Sequence, residues 1–295
     1  MGNGLFMRKM MMRIIPICLL WCIVLLTSCE AQSESLFQYT IHEDGVHIQG
    51  YLGKDSALIL PDKILNHPVV AIDNAAFYAS NLTSVILPDS VRYIGDDAFS
   101  QNPLQTITLP AQLNFIGEGA FAYTQLTHIS LPETITVLGA GAFSHCSNLT
   151  SIQVPALPSL PNRCFFECLS LVDISLGEGI LSIGDECFYG CVKLEEVSLP
   201  NSIREIGREA FSSCISLNTI ILSKELELIG DSCFLYCPSL KSVYIPPNVI
   251  VDLNWDQYLF GFCNNELILS IENNAYVEEF AKSNNIQYIL LENED

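Results

Sequence analysis

Basic residues are scarce in this chain of 295 residues: 13 Lys and Arg stand against 33 Asp and Glu, a formal net charge of −20. A nucleic-acid partner needs a basic footprint, and this balance excludes one. Charge of either sign is thin, at 16% of residues, while apolar residues make up 49%. A disordered chain shows the opposite bias. Glycine never clusters ahead of a helix, so the phosphate-cradling loops are missing. Tryptophan occurs twice, at Trp21 and Trp255. Only one apolar run is long, and it lies near the N-terminus.

That run is Ile14 to Leu26, 13 residues preceded by Arg8, Lys9 and Arg13. It is short for a membrane span and suits a signal-peptide core. No second apolar run or stop-transfer cluster follows, which disfavours a transmembrane anchor. The run ends in Leu26-Thr27-Ser28-Cys29, which resembles a bacterial lipobox. In that class the cysteine thiol is acylated and becomes the first mature residue, which implies lipidation at Cys29. An ordinary secretory signal with a chance cysteine is the competing reading. Removal of residues 1–28 takes away three basic residues and no acidic one, so 10 basic residues then face 33 acidic ones, or −23.

The rest of the chain repeats. Phe77, Phe99, Phe121, Phe143, Phe165, Phe188, Phe211 and Phe234 follow one another at steps of 22, 22, 22, 22, 23, 23 and 23. Each is preceded by a pattern such as Ile116-Gly117-Glu118-Gly119-Ala120-Phe121. Five or six residues after each Phe a Leu opens a strand-like run: LTSVIL from Leu82, LQTITL from Leu104, LTHISL from Leu126, LTSIQV from Leu149, LVDISL from Leu171, LEEVSL from Leu194, LNTIIL from Leu217 and LKSVYI from Leu240. Positions one, four and six are apolar and read as core. Positions two, three and five are mostly polar and read as solvent-facing. Pro88, Pro110, Pro132, Pro155, Pro200 and Pro246 close six of the runs, and a residue without an N–H stops strand pairing. The recurrent glycines at 95, 117, 139, 184, 207 and 230 are expected to sit in turns that need a positive φ. A single unit cannot bury enough surface to offset its ordering entropy, so the units must stack.

The combination of Leu-x-x-Ile-x-Leu-Pro with Ile-Gly-x-x-Ala-Phe-x-x-Cys resembles the BspA-like leucine-rich-repeat family of bacterial surface proteins. The resemblance implies an α/β leucine-rich-repeat solenoid, strand-dominated, with a parallel sheet on one face, repeats of 22–23 residues and capped ends. It also implies a role in cell-surface attachment or in binding proteins or host matrix. The chain then divides into a signal peptide (1–28), a short tether (29–36), an N-terminal β cap (37–70), the repeat array (71–270) and a C-terminal helix–strand cap (271–295). Asp44-Gly45 marks a hairpin in the first cap. Tyr276, Val277, Phe280 and Ala281 mark a helix in the second, with Asn284-Asn285 as its stop and a final strand to Leu291.

Two units are irregular. Val154 to Arg163 is rich in proline and lacks the turn glycine, which predicts a flattened or bent stretch. Ile250 to Tyr258 is longer than its counterparts and carries Trp255, either as a lid on the last coil or, with Tyr258, as a contact point.

The cysteines fall in columns. Cys146, Cys168, Cys191, Cys214 and Cys237 stand three residues after Phe, only in units with the longer loop, and Cys263 is expected to follow Phe260 likewise. Cys164, Cys187 and Cys233 stand just before Phe, where other units have Ala. Equivalent residues of adjacent coils lie about 4.8 Å apart, too far for the ~3.8 Å Cβ separation of a disulfide. A line of ligands also fails the tetrahedral convergence a metal needs. Buried unpaired thiols are the favoured reading, with some disulfides as the alternative.

The solvent side of the runs is the candidate binding face: Ser84, Thr106, Thr108, His128, Ser130, Ser151, Gln153, Asp173, Glu195 and Glu196. Ser151 between His128 and Asp173 is the wrong order for a hydrolytic triad. Asp173 and Glu196 are expected as neighbours at a glycosidase-like spacing, but without a pocket, and read as a solvated acidic patch. The sequence thus points to a non-catalytic surface lipoprotein that binds an extracellular or envelope protein or glycan. It calls for no cofactor and no nucleic acid, and for a monomer before an oligomer. The expected location is a bacterial envelope, lipid-anchored at the outer membrane or cell surface. An envelope scaffold is the runner-up, and a glycan-active enzyme using Asp173 and Glu196 is third.

Overall fold

The computed structural model describes residues 33–251 and 258–291. The signal segment, Cys29 and Trp255 lie outside them. Within the described residues the chain winds as a stacked series of coils, each contributing one strand to a front sheet, one short strand to a back sheet, and a run of tight turns to a third face.

The Leu-led runs form the front sheet. Its strands are short because the proline that ends a run cannot donate, and its carbonyl instead starts a turn, as in Val91 N–H to the Pro88 carbonyl at 3.1 Å. Pairing is parallel and in register, position for position: Ser84 with Thr106, Ile152 with Ile174, Glu196 with Thr219. The back sheet repeats this with two-residue strands such as Tyr93–Ile94, Phe115–Ile116 and Val137–Leu138.

The repeating phenylalanines pack in single file between these faces. From Phe77 to Phe260 consecutive rings lie 5.1–5.9 Å apart and within 13° of parallel. The first eight are wholly buried. Both ends of the file meet a tilted ring, Tyr51 at 6.2 Å from Phe77 and Phe280 at 6.4 Å from Phe260. Tyr51 belongs to a hairpin of Phe37–Ile41 and Val46–Tyr51 that turns at His42–Gly45. Phe280 belongs to the helix Ala275–Ser283, whose Asn274 side chain caps the Val277 N–H and whose buried face is Val277, Phe280 and Ala281. Stacking starts within residues 37–70: Ala57–Ile59 already pairs in register with Ser84–Ile86, and Val46–Tyr51 pairs parallel with His67–Ile72.

The recurrent glycines have a different cause from the one expected. None of Gly95, Gly117, Gly139, Gly184, Gly207 and Gly230 has a positive φ. They lie where one coil crosses closest to the previous one: a Cβ on Gly139 would sit 2.2 Å from the Glu118 nitrogen. The positive φ falls instead two residues before and two after each Phe, mostly on non-glycine residues such as Asp97 and Gln101 or Arg163 and Glu167. Two such turns per coil compact the third face and point its N–H groups at the next coil, as in Phe99 N–H to the Ala120 carbonyl at 2.8 Å.

The ladders are interrupted. The back sheet breaks between Val137–Leu138 and Ser159–Leu160, in the proline-rich unit. Elsewhere Thr136 and Gly139 donate to the previous coil, and so do Leu181 and Gly184. Their counterparts here are Pro158 and Pro161, which have no proton to give. The front sheet breaks between Thr106–Thr108 and His128–Ser130, and again between Asp173–Leu176 and Glu196–Ser198. The second break falls where Asp173 and Glu196 hold the same place on facing strands, and like charges there weaken a ladder.

Candidate functional site

The residues proposed for the binding face do lie on one side of the front sheet. Thr106, Thr108, His128, Ser130, Gln153, Asp173, Glu195 and Glu196 are exposed, and Ser84 and Ser151 half-buried. Their alternation follows from the pleat, which sends the second, third and fifth positions outward while Val85, Ile129, Ile152 and Val197 go in. His128 pairs in register with Ser151, and Ser151 with Asp173. Yet the imidazole of His128 is held by threonines: Nδ1 lies 3.1 Å from Thr127 Oγ1 and Nε2 lies 3.2 Å from Thr150 Oγ1. Asp173 and Glu196 hold the same place on successive strands that stay neighbours without forming a ladder, so the row passes that pair without strand pairing. Among the described residues no group of three or more His, Cys, Asp or Glu converges to hold a metal ion.

The face has a feature the sequence reading passed over. Toward its C-terminal end a cleft of about 700 Å³ opens over Ile221, between Leu176 and Leu199 on one side and Tyr244 on the other. Ile221 is 57% exposed. It occupies a fifth position, which Ser175, Ser198 and Ser270 fill in neighbouring coils. The Tyr244 hydroxyl donates to the Glu272 carboxylate, and burial together with that carboxylate pushes its pKa up to about 12.

The nine described cysteines are all unbridged, eight of them buried and Cys263 half-buried. The column after Phe does more than fill space. Cys146, Cys168, Cys191, Cys214, Cys237 and Cys263 each donate their thiol proton to the Phe carbonyl one coil back, at 3.1–3.2 Å. Burial pushes the Cys146 and Cys263 thiols up to about 11 and Cys191 to about 12. Such groups carry no thiolate at neutral pH and are chemically quiet.

The turn face carries stacked rings at or near the surface that the sequence reading also misses. Tyr123 stacks on His145 at 4.2 Å, and Phe166 on Tyr189 at 5.0 Å. Tyr236 stacks on Phe262 at 4.6 Å. The signal was present: these residues stand one or two places after the repeating Phe, in line. Tyr123, Tyr236 and Phe262 are exposed, and His145, Phe166 and Tyr189 are half-buried. Of the other expected contact point, Tyr258 is 41% exposed, while Trp255 is outside the described residues. No helix among the described residues is long and apolar enough to cross a membrane.

Comparison with known proteins agrees with this geometry. The model of the BspA type leucine-rich repeat region matches residues 70–159 and 158–289, in six copies. A leucine-rich repeat protein of T. pallidum of known structure is 31% identical over 72% of this chain and 91% of its own, with a TM-score of 0.53. A leucine-rich cell surface protein from Faecalibacterium prausnitzii is 20% identical over 90% of this chain and 96% of its own, with a TM-score of 0.37. No curated protein matches the chain. On the family match, the register of the coils and the single file of phenylalanines, the chain belongs to the BspA-type leucine-rich-repeat family.

Proposed function

We propose that the protein is a non-catalytic binding module displayed on a bacterial surface, held by a lipid on Cys29, and that its front sheet docks a partner outside the cell. The observation that carries this reading is the front face itself: hydroxyls and amides from successive coils in register, solvent-exposed, with the one central imidazole tied to threonines instead of a nucleophile. A repetitive face of this kind suits an extended protein or glycan partner. Family membership supports a surface role.

The face is tested by Thr106→Asp, His128→Asp and Ser151→Asp against immobilised panels of matrix proteins and oligosaccharides. Loss of capture is expected from these variants and not from Tyr123→Ser or Tyr236→Ser on the turn face. The opposite pattern sinks the reading. The anchor is tested by metabolic palmitate labelling of cells expressing the full chain. Label is expected on the protein, and Cys29→Ala should remove it and release the protein from membranes.

A further inference from the structure

The cleft over Ile221 has a chemistry distinct from the rest of the front face. Most outward positions there carry Ser, Thr, Gln or a carboxylate, whereas here an isoleucine lines a cleft with more than half its surface in solvent. The coil does not need an apolar residue at this place, because Ser175, Ser198 and Ser270 fill it in other coils. Ile221 therefore contributes little to folding and gains when another apolar group covers it.

The surroundings narrow the occupant. A sugar ring is held by lying on the face of an aromatic ring, and the floor here is aliphatic. The single aromatic wall, Tyr244, has its hydroxyl committed to Glu272. The lining itself balances Glu178 against Lys224, and the acidic excess lies at its rim: Glu196 pairs with the lining Thr219, Glu272 holds the hydroxyl of the lining Tyr244, and Asp173 precedes the lining Ile174, against Lys241 next to the lining Ser242. The chain as a whole carries −20. A cleft with apolar walls focuses that field and favours a positive partner.

We propose that this cleft seats an extended, cationic segment of a partner protein, which places one aliphatic side chain over Ile221 and sets its basic residues beside Glu178 and Glu196. The proposal rests on the front face being the binding face and names the partner's class. A few well-packed, desolvated contacts ringed by near-neutral ones carry most of an interface's binding energy.

The test uses the full chain and three fluorescein-labelled synthetic decapeptides: one alternating Lys and Leu with Ser spacers, one with Glu for Lys, and one with Ser for Leu. Fluorescence anisotropy should show the Lys/Leu peptide binding, with affinity falling as salt is raised. The Glu peptide should not bind, and the Ser peptide should bind at least about tenfold more weakly. Ile221→Ser should weaken the Lys/Leu peptide by a similar factor with an unchanged circular dichroism spectrum, since serine already fits this position in three coils. Glu178→Gln with Glu196→Gln should flatten the salt dependence. The proposal is overturned if the Lys/Leu peptide does not bind, if the Glu peptide binds as well, or if Ile221→Ser changes nothing. It is also overturned if a chitin or cellulose oligosaccharide binds in the cleft and Ile221→Ser abolishes that. A partner lost on Thr106→Asp or His128→Asp but indifferent to Ile221→Ser would leave the front face standing and remove only this proposal.

Discussion

The Sγ of Cys168 donates to the carbonyl oxygen of Phe143 across 3.2 Å, from one coil to the coil before it. The carbonyl also accepts the Cys146 N–H at 3.2 Å, so the thiol supplies its second donor and ties the two coils together. A donor stands at this place with either loop length, Asn102 and Thr124 in the shorter and cysteine in the longer, so the column supplies hydrogen bonds and not merely volume. Thr and Val have nearly the same shape, so they separate the two roles. Cys168→Thr should unfold close to wild type in urea, and Cys168→Val should be less stable by about 0.5–1.5 kcal/mol, the net worth of one hydrogen bond, because the Cys146 N–H still satisfies the carbonyl. Equal losses for both would reduce the column to packing.

The same thiols make the fold sensitive to alkali. Their pKa is raised on folding, chiefly by burial, from 9.0 to about 11 for Cys146 and about 12 for Cys191. Below pH 9 both folded and unfolded chains keep the proton, and the contribution is fully present. Above it the unfolded chain ionises first, so stability falls as pH rises toward the folded values. Each such thiol removes about 1.4 kcal/mol per pH unit in that window. Urea midpoints measured at neutral pH and from pH 9 to 10.5 should show a decline that Cys146→Ala and Cys191→Ala lessen. In the native protein at pH 8, Ellman's reagent should react first at half-buried Cys263, and at the buried eight only after denaturant is added.

Two neighbouring glycines should differ sharply. A Cβ at Gly139 would meet the Glu118 nitrogen at 2.2 Å and the Gly117 carbonyl carbon at 2.3 Å. Backbone cannot move aside there without opening the stack. At Gly141 the φ is +60°, but the nearest atom to a Cβ is Ser144 Cβ at 3.5 Å. Arg163 and Glu186 adopt the same conformation at the equivalent place. Gly141→Ala should therefore cost about 1–2 kcal/mol, and Gly139→Ala more than about 3 kcal/mol or failure to fold. Thermal unfolding of the two variants decides it.

Much of this architecture is legible in the sequence because a solenoid turns period into position. The Phe spacing alone places the single file, and the Leu-led runs place the front sheet with its inner and outer rows. Pro158 and Pro161 mark the break in the back sheet, since a missing proton is visible in the residue name. Other features resist reading for definite reasons. A glycine serves a left-handed turn and a close crossing equally well, so Gly95 and Gly139 were assigned the wrong one. The donor role of the cysteine column is hidden by treating thiols as apolar filler, although Asn102 and Thr124 stand in that column and are plain donors. The cleft over Ile221 escapes because its surface is defined by what five coils leave uncovered, which no single repeat encodes.

Asn102 shows how far that column matters. In a coil without the longer loop it stands where cysteine stands later, 1% exposed. Its Nδ2 donates to the Phe77 carbonyl at 2.7 Å and the Phe99 carbonyl at 2.9 Å, while Oδ1 accepts from the Leu82 N–H at 2.9 Å. One amide thus ties two coils together and holds the start of a front strand. Leucine matches its shape and offers none of these groups. Asn102→Leu should leave at least the Phe77 carbonyl and the Leu82 N–H buried and unpaired, a loss on the order of 3 kcal/mol or more. Asn102→Cys keeps a donor for Phe77 and abandons only Leu82, so it should fall between. Urea unfolding of the three proteins should rank them wild type, Cys, Leu. Hydrogen exchange should locate the damage at Leu82 and the coils on either side, because each coil is stabilised by its neighbours. A leucine variant as stable as wild type would mean that these backbone groups find other partners and that the column's donors are dispensable.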